Sequence, residues 1–201
     1  MSEVKVNKIS PSSGTAFTLG DSGDTFTVPS GGTIVNSGTA TGFGGGKIGQ
    51  VVQTYLTATQ STTSTSMTDI TGFNVAITPG AASSKILVIV VLSTGLAAGK
   101  GSTIDLLVDI DSGGYNSIGM GDATGVRTRG FIDGHGQYIN TAISKSGIFL
   151  HSPSYTLTDE ITYKLQWYSQ DSATQHLNIA GTNDGDFSVV GSGITVMEVL
   201  A

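Results

Sequence analysis

The sequence contains no cysteine. Disulfides, thiolate zinc sites and cysteine nucleophiles are therefore excluded. Charge is also scarce, at 12% of 201 residues, against a usual share of about 25% in globular domains. Low charge raises the question of a membrane span. The longest apolar run, Ile86 to Leu92, falls far short of the ~18 residues a spanning helix needs, and it suits a buried strand. No membrane insertion is expected. The nine Lys and Arg are dispersed and outnumbered by fifteen Asp and Glu, giving a net charge of −6. Such a chain lacks the basic footprint of a nucleic-acid binder. Met1-Ser2-Glu3-Val4-Lys5 has no apolar h-region, so no secretory signal peptide is expected.

Helix-favouring residues are sparse, and Thr, Val, Ile, Gly and Ser dominate. β-branched residues favour a pleated, half-buried surface, and glycine punctuates it. The apolar residues fall in patterned blocks, which argues against disorder. The texture changes near Gly44-Gly45-Gly46. Residues 1–46 carry a loose repeat in which Gly is followed by alternating small polar and apolar residues, as in Gly14-Thr-Ala-Phe-Thr-Leu and Gly23-Asp-Thr-Phe-Thr-Val. Phe17 and Leu19 share one face, as do Phe26 and Val28, and the turn cluster Gly20–Asp24 separates them. Short strands joined by tight turns fit this pattern. A segment so small cannot offset its chain entropy alone. Three copies wound about one axis would cover its apolar face, whereas a flexible Gly/Ser linker would need no cover.

Residues 47–201 read as an antiparallel sandwich. The strand candidates are 50–60, 68–78, 84–93, 103–111, 115–120, 137–144, 147–152, 160–169, 174–180 and 193–200. Ile161, Tyr163, Leu165 and Trp167 form one inward set, and Ile104, Leu106, Val108 and Ile110 another. Such a count of strands over this length suits a jelly roll. The block 86–92 breaks the alternation, because Leu87, Ile89 and Val91 oppose an equally apolar set. Its outer face needs cover, from a subunit interface or from a loop of the same chain. Thr195, Met197 and Val199 pose the same question more weakly. The expected architecture is thus all-β: an intertwined N-terminal β-stalk over 1–46 and a jelly-roll head over 47–201, assembled as a homotrimer.

The stretch Lys5-Val-Asn-Lys-Ile-Ser-Pro-Ser-Ser-Gly-Thr-Ala-Phe-Thr-Leu-Gly-Asp-Ser-Gly-Asp-Thr-Phe-Thr-Val-Pro-Ser-Gly resembles segments of fibre and appendage proteins of marine tailed phages, especially cyanophages. Ser84-Lys85-Ile86-Leu87-Val88, Tyr163-Lys164-Leu165-Gln166-Trp167 and Gly193-Ile194-Thr195-Val196-Met197-Glu198-Val199 resemble the jelly-roll modules of phage virion proteins. Those modules are akin to trimeric tumour-necrosis-factor-like and C1q-like heads. The resemblance implies a homotrimeric virion protein on a tail or capsid. It implies no catalytic site.

Motifs that would carry chemistry are thin. Asp109-Ile-Asp111-Ser-Gly113-Gly114 fails the calcium-loop pattern, since position five would be Gly113 and position twelve Met120. A turn explains it better, and the same holds for Asn183-Asp184-Gly185-Asp186. His135, His151 and His176 show no metal-ligand spacing. No Gly-x-Ser-x-Gly elbow appears, and Gly42-Phe-Gly-Gly-Gly is not followed by the Lys and helix of a phosphate loop. No cofactor or metal is expected. Glu198 falls in phase with the inward residues Ile194, Val196 and Leu200. A buried carboxylate needs a partner, with Lys85 or Arg129 as candidates, unless the strand ends and Glu198 is solvated. Tyr115-Asn116, Tyr138-Asn140 and Tyr155 are aromatics in or beside loops, candidates for surface recognition as well as for ordinary packing.

Three functions compete. A phage fibre or spike would display its head outward, towards a host glycan or protein. A capsid decoration protein would reinforce the shell. A polysaccharide depolymerase would need a paired-carboxylate groove, which is not recognisable. The expected protein is a non-enzymatic virion component whose partners are its own copies and other virion proteins.

Overall fold

The computed structural model describes residues 9–11, 13–15, 18, 20–35, 47–96, 100–133, 142–179 and 189–200. By backbone contacts the chain divides into two units, Met1–Gly45 and Gly46–Ala201.

In the first unit, no strand forms among the described residues. The turn cluster is present. Asp24 donates its backbone N–H to Asp21 O at 3.0 Å, and Asp21 N–H reaches Asp24 Oδ2 at 2.8 Å. Gly23 takes a φ of +96°, which explains glycine at the third turn position. A second turn closes from Gly32 N–H to Pro29 O at 2.9 Å. Phe26 stands exposed and Val28 half-buried, while Phe17 and Leu19 lie outside the described residues.

The second unit is a two-sheet antiparallel sandwich. Its strands are β1 Ile48–Leu56, β2 Gln60–Thr62, β3 Thr68–Ile77, β4 Lys85–Leu96, β5 Ser102–Ile110, β6 Asn116–Ile118, β7 Ile132–Asp133, β8 Ala142–His151, β9 Ile161–Ser169, β10 Gln175–Leu177 and β11 Ser192–Val199. One sheet holds β1, β11, β4, β10 and β2, with β8 also on β4; the other holds β3, β9, β5 and β6, with β7 also on β5. Three pairs behave as single interrupted strands. β10 and β11 lie on one side of β4 in the same direction. β1 and β2 follow them along the edge, and β6 and β7 share one side of β5. Counted this way there are eight strands. The first, eighth, third and sixth make sheet A, and the second, seventh, fourth and fifth make sheet B.

The core lies between the sheets. Ile86, Val88, Val90 and Leu92 of β4 are fully buried with Ile194 and Val196 of β11. They pack with Ile104 and Leu106 of β5, and with Ile161, Tyr163, Leu165 and Trp167 of β9. The alternating sets read from β5 and β9 are the inward ones, with Ile110 half-buried at its strand end.

Several boundaries differ from the sequence reading. The segment read as 50–60 ends at Leu56, and β2 and β7 were not anticipated. The segments read as 137–144 and 147–152 are one strand over their described part, β8. Gly147 lies within that strand; a Cβ there would stand 2.6 Å from Phe131 Cζ, so glycine makes room for that ring. In β3 the register slips between Asp69 and Asn74, and Gly72 adopts a φ of +72°. The bulge lets both Ile70 and Phe73 point inward. Gln60 satisfies the backbone it frees: its amide donates to Thr71 O at 2.8 Å and accepts from Thr71 N–H at 3.0 Å.

The break between β10 and β11 is held by a buried polar knot. Asn178, at a φ of +65° that Asn tolerates, donates to Leu56 O at 2.8 Å and Ala58 O at 2.9 Å. Ser192 Oγ donates to Asn178 Oδ1 at 2.6 Å and accepts from Ser93 N–H at 3.0 Å. Gln175 nearby is also fully buried, but neither amide atom has a partner among the described residues. An unpaired buried amide costs about 1–3 kcal/mol. Gln175→Met should therefore raise the denaturant midpoint, with a gain of about 1–3 kcal/mol; an unchanged or lower midpoint would contradict this.

Candidate functional site: an apolar outer face on sheet A

The two outer faces of the sandwich differ sharply. On sheet B, Lys164 Nζ pairs with Asp69 at 2.9 Å, and Gln166 donates to Asp69 at 2.7 Å. The Gln166 and Lys164 hydrogen bonds hold the Asp69 carboxyl below its usual range. Such a polar face suits water.

Sheet A's outer face is apolar. Strand register aligns it in three rows: Val51–Met197–Leu87–Leu150, Gln53–Thr195–Ile89–Ile148 and Tyr55–Gly193–Val91–Ser146. Ile148 is 66% exposed, Tyr55 61%, Val51 55%, Val91 48% and Leu150 46%. Leu87, Ile89 and Met197 are half-buried by these neighbours. The one side-chain hydrogen bond within these rows runs from Gln53 Nε2 to Thr195 Oγ1, at 2.8 Å. Tyr55 lies over Gly191 and Gly193, where a Cβ at either position would meet its ring.

Among the described residues no loop of the same chain covers this patch. A contiguous apolar area spanning four strands is the mark of a binding surface. Leu87, Ile89 and Val91 were singled out from the sequence. Val51, Tyr55, Ile148 and Leu150 were not. For β8 the signal was present, because Ile148 and Leu150 alternate with Phe149 and His151, so both faces carry large side chains.

Glu198 sits beneath the same sheet, on the inner side, and is 2% exposed. Its partners are neither Lys85 nor Arg129, and the strand does not end before it. Oε1 accepts from Gly80 N–H at 2.9 Å, Ala81 N–H at 3.1 Å and Ser84 Oγ at 2.8 Å. Oε2 accepts from Gln50 Nε2 at 3.0 Å. Desolvation pushes its pKa up, but the four donors outweigh it and hold the carboxyl below its ordinary value of 4.5. Glu198 thus ties β11 to β1 and to the β3–β4 loop. Tyr155 belongs to the same structure: its hydroxyl accepts from Ser84 N–H at 2.9 Å and donates to Ala81 O at 2.7 Å. That hydroxyl is spent on folding rather than recognition.

The other candidates are dispersed. Tyr115 lines a shallow recess of about 370 Å³ with Asp69 and Lys164, whose Nζ stands 3.9 Å from the ring centroid. Asn116 donates to Gly114 O at 3.1 Å. Tyr138, Asn140, His135 and residues 183–186 lie outside the described residues. Asp109 Oδ1 accepts from Gly114 N–H at 2.9 Å, so it closes the β5–β6 turn.

His151 Nδ1 meets Tyr163 Oη at 2.8 Å, and burial lowers its pKa below 6.5. The unfolded chain then takes up its proton first, so this contribution is complete above pH 6.5 and declines as pH falls below it. Equilibrium unfolding between pH 7.5 and 5 should show that decline, with a smaller slope in His151→Gln; identical slopes would contradict it.

No protein-family model matches the chain, and no curated protein matches it significantly.

Proposed function

We propose that this protein is a non-enzymatic virion component: a homotrimeric phage fibre or spike with a jelly-roll head displayed outward, used in host-surface attachment. The observation that carries the reading is the contrast between the faces of the sandwich. Sheet A presents Leu87, Ile89, Val91, Ile148 and Leu150 to the outside, while sheet B presents charged and amide side chains. A sandwich with one apolar outer face gains by burying it against copies of itself, and closed symmetry satisfies all copies equally. The eight-strand order supports the jelly roll. The number three comes from the resemblance to phage appendage segments and to trimeric jelly-roll heads. The exposed Phe26, Ile34 and Val35 of the N-terminal unit fit a stalk whose apolar side chains meet those of other copies. The reading assigns it no cofactor, no nucleic acid and no membrane insertion.

The same trimer would serve as a capsid decoration protein. Cryo-electron microscopy of the parent particle separates the two. Density at the tail is the expected result; density at capsid three-folds would replace the fibre by a cement protein, and absence from the particle would overturn both.

A further inference from the structure

The outer face of sheet B carries a cleft of about 930 Å³. That volume lies near the top of the roughly 300–1,000 Å³ typical of ligand sites. Its floor is the aligned row Tyr168–Thr103–Asp133 of β9, β5 and β7. Its wall is the 121–131 loop, which interrupts the β6–β7 strand and carries Arg127 and Arg129. These are the only arginines in the chain.

The wall is a built feature. Phe131 N–H donates to Ile104 O at 2.9 Å, and Arg129 Nε donates to Gly121 O at 2.6 Å, closing the loop on itself. Gly130 lies against the sheet, where a Cβ would meet Thr103. Among the described residues neither guanidinium has an ion pair. In a chain of net charge −6, both arginines stand two residues apart on one cleft; Arg129 spends its Nε on Gly121 O and lies within the electrostatic reach of the Asp105 carboxylate, while the Arg127 fork has no side-chain partner among the described residues. Planar forks match carboxylates. Asp122 also lines the cleft, with Asp133 on the floor, so the lining is not uniformly cationic. That mixture disfavours a bare anion. It suits a ligand that offers hydroxyls to carboxylates and threonines, a carboxylate to arginine, and a ring face to Tyr168.

We infer that the Arg127–Arg129 cleft binds an oligosaccharide bearing uronic acid. This deepens the proposed attachment role and rests on it for the source of the ligand, a polysaccharide of the host surface. The cleft is made within one chain and on the sheet opposite the apolar face, so a trimer closed through sheet A leaves it open.

The test is binding of the full chain to an array of neutral and uronate-containing oligosaccharides, followed by titration calorimetry. Selective binding of uronate-containing members is expected, with at least a tenfold loss in Arg127→Ala. That side chain has no partner among the described residues, and circular dichroism checks the fold. Tyr168→Ala should weaken binding independently. Binding to no array member, preference for neutral members, equal affinity for inorganic phosphate, or an unaltered Arg127→Ala would each overturn the inference. Its failure is distinct from failure of the trimer: a chain found monomeric that still binds uronate loses the assembly and keeps the cleft, and a trimer that binds nothing does the reverse.

Discussion

Ile89→Lys should dissociate the proposed homotrimer into folded single chains. Ile89 lies in the central row of sheet A's outer face, between Thr195 and Ile148. Its inward neighbours Val88 and Val90 are fully buried and untouched by the change. The single chain tolerates a lysine there, because the outer face is solvated when the subunit is alone and the long stem follows the apolar surface. The assembly does not tolerate it. Each chain loses the burial of the exposed part of a half-buried isoleucine, about 1 kcal/mol, and forces an ammonium group into an apolar contact. In the proposed trimer three symmetric copies would multiply the effect, and each ~1.4 kcal/mol is tenfold in the equilibrium constant. Thr162→Lys, on the polar outer face of sheet B, is the matched control and should leave the mass unchanged. Light scattering reads both. An Ile89→Lys protein with unaltered mass would remove sheet A from the interface.

Glu198→Gln should cost about 2–4 kcal/mol, because charge-assisted hydrogen bonds are worth more than neutral ones and the amide turns an NH₂ towards existing donors. For a chain of this size that lowers Tm by roughly 5–15 °C. The pH dependence gives an independent check. The carboxyl's pKa is depressed in the folded state from an ordinary 4.5. Its stabilisation is therefore complete above pH 4.5 and is lost as pH falls through the lower, folded value. Wild type should weaken in that window, and Glu198→Gln should have lost this part of the acid slope. A variant with wild-type Tm and wild-type acid slope would contradict the bonding described here.

Much of the sandwich was legible because its strands are long and their faces differ. β5 and β9 declare their inward sets by alternation, and the uninterrupted run in β4 marks a strand flanked on both sides. The short strands β2 and β7 were not legible. Three residues at Gln60–Thr62 and two at Ile132–Asp133 carry no periodic signal, and partner strands give them their form. β8 was split in two at Lys145-Ser146, where a polar pair precedes a glycine and interrupts the apolar pattern. That glycine answers a tertiary demand, the ring of Phe131, which sequence spacing does not reveal. Glu198 was placed on the correct face, but neither alternative read for it holds: it is not solvated, and neither Lys85 nor Arg129 is its partner. Its donors are mainly backbone N–H groups and small polar side chains, and backbone donors leave no trace in a pattern of charges. The Arg127–Arg129 cleft escaped for a similar reason: its floor comes from β5, β7 and β9, distant in sequence and joined only by the sheet.

The central claim is that sheet A's outer face joins identical chains. Sedimentation equilibrium of the full chain, diluted through the micromolar range, tests it most directly. A mass three times the 20.5 kDa of one chain, falling to that of a single chain in Ile89→Lys, is the result expected. A wild-type protein that sediments as a single chain at micromolar concentration would contradict it.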